Sequence, residues 1–145
     1  MLTKTRPPRV RWTTRRSEGG SLSITVTLRP RGASTAAAAL RQATAAPTLI
    51  PALRGCGLSY GDIGLCVGSL RGRVWEWQRG VVGVGRVRWA RLTALRDVVV
   101  ALDDAGNSTP RAWLFAHNPL LDACPYQHLA ADDFTAVLQA ARRPG

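Results

Sequence analysis

Two glycines four residues apart, Gly64 and Gly68, sit inside an apolar pattern that leaves few folds open. Ile63 and Val67 are also four apart and share one face of a helix. Gly64 lies between them, where a second helix crossing closely leaves no room for a side chain. Gly68 follows where the chain must turn through a left-handed conformation. Upstream, Ser59 with Asp62 three residues on forms the capping signature that opens a helix. Beyond the turn, Val74 and Trp77 are three apart and can face Ile63 and Val67, which leaves Arg71, Arg73, Trp75, Glu76, Gln78 and Arg79 for the outside. Residues 57–80 therefore read as a helix-turn-helix with a cationic and aromatic outer face.

This pattern resembles the helix-turn-helix of Xre-type regulators, the lambda-repressor-like family, in which the second helix lies in the DNA major groove. The chain departs from that family at Ser69, where an apolar residue is usual, and at Leu70, where a small capping residue is usual. Either the second helix starts one residue early with Ser69 as its cap, or DNA reading has decayed here. Any three-helix bundle also needs an apolar seam and a glycine turn, so the rest of the chain has to weigh in.

Charge does so. The net charge of +11 is carried unevenly: residues 1–91 hold 16 Lys and Arg against 3 acids, and the remainder holds 4 against 6. A basic part followed by a slightly acidic one suits one surface for nucleic acid and another for something else. An Arg-rich and Ala-rich genome would raise the charge too, but it does not explain why the excess stops at Arg91. Cys56, Cys66 and Cys124 show no CxxC spacing and form no ligand array with His117 and His128, so no metal site is expected. Scattered thiols of odd number suit a reducing interior. With neither a membrane-spanning apolar run nor a secretion signal in view, a cytoplasmic protein is expected.

Residues 1–33 are expected to be a basic, disordered arm, either reaching phosphates or simply solvated, with a strand-like alternation of Leu22, Ile24, Val26 and Leu28. An alanine-rich helix over residues 34–46 is expected to end at Pro47. A further helix over residues 48–54 carries Leu49, Ile50 and Leu53 and is closed by Gly55 and Gly57. The glycines Gly80, Gly83 and Gly85 lack the order of a dinucleotide loop and read as a flexible link, followed by Arg86, Arg88 and Arg91 for the DNA backbone. Trp89, Leu92, Leu95, Val98, Val99 and Leu102 recur at three and four, which predicts an amphipathic helix over residues 87–102 leading out of the DNA-binding half. Gly106 ends it, and Ser108 or Thr109 caps the next helix, with Pro110 in its first turn.

The C-terminal stretch combines Trp113, Leu114 and Phe115, a turn at Asn118 and Pro119, Leu121, Asp122 and Leu129. A last helix opens near Asp132 and Asp133, whose carboxylates suit a helix start, and carries Phe134, Val137, Leu138 and Ala141. Together these residues resemble the toxin-binding domain of Xre/MbcA/ParS-type antitoxins, with departures at Ala123, Cys124 and Pro125. The resemblance implies a mainly α fold, a lambda-repressor-like helix-turn-helix bundle over residues 34–86 and a small helical toxin-binding or dimerisation domain over residues 87–145. It also implies a type II antitoxin paired with a RES-type, NAD-consuming toxin whose active site it occludes. Such an antitoxin binds operator DNA and forms a homodimer or a hetero-oligomer with the toxin.

On this reading Arg79, Arg86 and Arg88 meet phosphates, and Arg71, Arg73, Glu76 and Gln78 meet base edges. Phe134, Gln139, Arg142 and Arg143 meet the toxin, with Trp113 and Phe115 shaping that surface or its core. No catalytic set and no cofactor are expected, since His117 and His128 have no motif-level nucleophile and His117 reads as a turn residue. The alternative is a stand-alone helix-turn-helix regulator whose C-terminal domain only dimerises.

Overall fold

Ser59 and Asp62 begin the central helix as their spacing requires. The Asp62 amide donates to Ser59 Oγ at 3.0 Å, and the Ser59 amide donates to Asp62 Oδ2 at 2.9 Å. This capping box opens one of eight helices in the computed structural model, which describes residues 31–143. In chain order they are α1 (Arg31–Gln42), α2 (Ala46–Gly55), α3 (Tyr60–Val67), α4 (Arg71–Arg79), α5 (Arg86–Asp104), α6 (Pro110–Leu114), α7 (Pro125–Ala130) and α8 (Phe134–Ala141). The mainly α class is as expected. The strand-like stretch and most of the basic arm lie outside the described residues; α1 begins at Arg31, where the arm was still expected.

The alanine-rich run does not continue to Pro47. α1 stops at Gln42, and Pro47 stands in the first turn of α2, where its missing N–H forfeits no helical bond. Proline here starts a helix rather than stopping one. Leu40 of α1 and Leu49, Ile50 and Leu53 of α2 are fully buried.

The turn between α3 and α4 is built on the two glycines. Gly68 is left-handed at φ 75°, and the Ser69 amide donates back to the Gly64 carbonyl at 2.8 Å. A Cβ on Gly64 would stand 2.5 Å from the Ser69 carbonyl oxygen, so the close approach is made by the backbone of the turn itself. Ile63, Val67, Val74 and Trp77 close together into the core as their spacing indicated. Ser69, however, is not the cap of α4. The helix starts from Leu70, in extended backbone at φ −87° and ψ 152°, with no side-chain cap at all.

α5 does not lead away from the helix-turn-helix. It packs on α1 and α3 as well as on α6, α7 and α8, and α3 also packs on α7. Leu92, Leu95, Val98, Val99 and Leu102 share one apolar core with Leu40, Ile63 and Trp77 on one side and Leu114, Leu129 and Val137 on the other. The boundary expected at residues 86 and 87 thus falls at the start of a helix that both halves bury.

Polar groups hold the connections. The Asn107 side chain, not Ser108 or Thr109, caps the approach to α6 by accepting from the Thr109 amide and hydroxyl at 2.8 and 3.1 Å. Asn118 folds the next turn: its carbonyl accepts from the Leu121 and Asp122 amides and its Oδ1 from the Leu120 amide. Asp132 and Asp133 do not cap α8 with their side chains. Asp132 pairs with Arg91 and Asp133 with His128, whose other ring nitrogen faces the Leu121 carbonyl at 3.2 Å.

A matched pair of substitutions tests the turn. Gly64→Ala is expected to cost about 1–3 kcal/mol, because backbone must move to admit the methyl. Gly72→Ala, with nothing near its added Cβ inside α4, is expected to stabilise by about 0.5–1 kcal/mol. Urea melts of the two variants check both signs.

Candidate nucleic-acid interface

α4 and α5 both begin without an acid in the first turn. Arg71 and Arg73 stand there in α4, and Arg86 and Arg88 in α5, all exposed. A helix N-terminus already carries positive partial charge, so cations there are unfavourable, and an approaching anion relieves the repulsion. Arg71, Arg73 and Arg88 line one groove of about 1180 Å³ between the α3–α4 turn, α4 and the glycine link that follows it. Glu76 is the single acid in that lining, and its carboxylate lies 3.5 Å from the Arg73 guanidinium.

The remaining α4 residues differ in how free they are. Arg79 is exposed and lies over the Trp75 ring at 4.7 Å, a stacked pair on the outer face. Gln78 is half-buried, and its Oε1 accepts from the Tyr60 hydroxyl at 3.1 Å. That hydroxyl in turn accepts from Arg54 at 3.2 Å. The Gln78 amide oxygen is thus engaged between α3 and α4.

Arg88 and Arg91 bond within the fold. Arg88 Nε and Nη2 donate to the Gly68 carbonyl, at 3.3 and 3.1 Å, and Arg91 Nη1 donates to the Val67 carbonyl at 3.1 Å. These are the carbonyls that the end of α3 leaves without helical partners, and a cation there is favourable. Arg91 also grips Asp132 with two parallel bonds of 2.8 and 3.1 Å. Arg91 is therefore bonded within the fold through all three of its guanidinium nitrogens. The Arg91 bonds hold the Asp132 carboxyl below its ordinary value of 3.8.

Sequence reasoning passed over the apolar part of this surface. Leu65 and Leu70 line the groove beside Trp75, and Leu70 is 80% exposed. The signal was present at Leu70, an apolar residue in a capping position.

The C-terminal candidates fall into separate places. Trp113 and Arg143 line one groove beside Ala141. Arg142 lines another with Asp97 and Asp104. Phe115 turns toward α7, its ring 4.8 Å from that of Tyr126 and under the Arg111 guanidinium at 5.6 Å. Phe134 is half-buried against the core, and Gln139 is exposed.

Comparison with family models, with curated proteins and with solved structures finds no match to this chain.

The described cysteines are set for packing. Burial, with Asp62 nearby, pushes the Cys66 thiol far up, and burial with Asp103 nearby pushes Cys56 up as well. Both are held as thiols at neutral pH. Among the described residues no cluster of His, Cys, Asp and Glu could hold a metal ion, and no helix is long and apolar enough to cross a membrane.

Two measurements follow from this geometry. Leu70→Ser supplies the missing cap of α4 and is expected to stabilise the fold by about 1 kcal/mol in chemical melts. The Asp132 carboxyl is depressed in the folded chain, so its stabilisation is complete above the ordinary carboxyl value and is lost as pH falls through the lowered one. Asp132→Asn, which keeps a residue tolerant of the left-handed backbone at φ 67°, is expected to melt lower than the parent at pH 7, the difference closing as pH falls through the lowered value.

Proposed function

We propose that this chain is the antitoxin of a type II toxin-antitoxin pair. It binds operator DNA through the start of α4 and the start of α5, and it covers the active site of a RES-type, NAD-consuming toxin with its C-terminal end. The observation that carries the DNA part is the groove flanked by Arg71, Arg73 and Arg88 at helix starts that hold no acid. A polyanion is the occupant whose charge complements such a surface. The toxin part rests on the sequence resemblance, together with the exposure of Gln139, Arg142 and Arg143 on and after α8. A stand-alone regulator is the second reading. It is favoured by the apolar core that runs from α1 to α8, since a C-terminal half that braces the helix-turn-helix already has a structural task.

Co-expression with a RES-like toxin encoded beside this chain separates the readings. Growth and cellular NAD are expected to fall with the toxin alone and to recover with the full chain; no change in either favours the regulator. Arg73→Ala is expected to weaken operator binding by about 1–3 kcal/mol while leaving neutralisation intact. Arg86→Ala is expected to weaken all duplexes alike and to lower the salt slope of binding by about one. Equal loss of DNA binding and neutralisation in a folded Arg73→Ala protein would sink the division of labour.

A further inference from the structure

Leu70 is an expensive residue where it stands. It occupies the capping position of α4 and caps nothing, so it forgoes the hydrogen bond that Ser, Thr, Asp or Asn would make there. It also leaves four-fifths of its surface in water. Among the described residues six large hydrophobic side chains are exposed, and three of them, Leu65, Leu70 and Trp75, line the same groove as Arg71, Arg73 and Arg88. An apolar strip is therefore set directly among cations.

The occupant has to satisfy both. An apolar protein surface would leave three arginines facing it, with Glu76 the only acid in the groove and already beside Arg73. A duplex brings phosphates to the rim and, inside its major groove, one kind of apolar group: the C5-methyl of thymine. Residues at the N-terminal end of a helix inserted in that groove are the ones that meet base edges. Leu70, Arg71 and Arg73 are those residues here.

The geometry points to Leu70 as a specificity-determining residue that reads thymine methyl groups, with Leu65 beside it, next to the bases met by Arg71 and Arg73. This rests on the DNA-binding reading above and adds to it the chemical group that is recognised. It also assigns a reason to the uncapped start of α4: the position is given to an apolar contact at the expense of helix stability.

The test begins with selection of preferred sites from a random duplex library by the full chain. Each thymine of the selected site is then replaced by deoxyuridine, which removes the methyl and nothing else, and affinity is read by fluorescence anisotropy at fixed salt. For the parent, one or two replacements are expected to weaken binding about fourfold each, the worth of one buried methyl. Leu70→Ser, checked as helical by circular dichroism, is expected to bind thymine and uracil duplexes alike, and Leu70→Met to keep the preference for thymine.

A selected site at which every uracil replacement is neutral overturns the inference and leaves DNA binding standing. So does a penalty that persists unchanged in Leu70→Ser. If no sequence is enriched and binding shows no salt dependence, the DNA-binding reading fails, and this inference fails with it.

Discussion

α3 is clamped at both ends by an arginine and an aspartate. At its start, Asp62 is almost fully buried and accepts from the Ser59 amide within the helix cap and from Arg111 Nε of α6 at 2.8 Å. At its end, Arg91 of α5 fills the Val67 carbonyl and holds Asp132, two residues before the start of α8. A buried carboxylate is tolerated only when its oxygens are bonded, and helix-end carbonyls near the core need donors from elsewhere in the chain. Both needs are met by residues more than twenty positions away. The helix-turn-helix is consequently fixed in place by segments that, on the sequence alone, belonged to another part of the molecule.

This arrangement explains what was legible in the sequence and what was not. The elements of the helix-turn-helix were legible because local rules determine them: Ser59 and Asp62 cap across three residues, Gly68 takes a backbone few other residues accept, and Val74 and Trp77 follow helical spacing. The amphipathic α5 was legible for the same reason. What was not legible was which face each long helix would share. The apolar stripe of α5 fits a second domain as well as it fits the first, and it is long-range packing, with the pairing of Arg91 with Asp132 and of Asp62 with Arg111, 41 and 49 residues apart, that brings both sets of helices onto it.

The site itself was half legible. Arginine clusters stand out in any reading of charge, and Arg71, Arg73, Arg86 and Arg88 are exposed as expected. Gln78 looked equivalent to them on a helical wheel, but the Tyr60 hydroxyl, eighteen residues earlier, engages it. Asp132 and Asp133 looked like helix-start carboxylates, an inference from position that ignores competing partners. Arg91 and His128 supply those partners from α5 and α7. In each case a rule based on position in the helix was overridden by a side-chain bond to another element, charge-assisted for Asp132 and Arg91.

The acid-free starts of α4 and α5 have a consequence beyond contact. Together with Arg71, Arg73, Arg86 and Arg88, they concentrate positive charge around the groove. In the field of any polyanion such a body rotates as it diffuses, so it arrives groove first more often than chance orientation would allow. The same asymmetry makes capture fast in dilute buffer and progressively less so as counterions shorten the reach of the field.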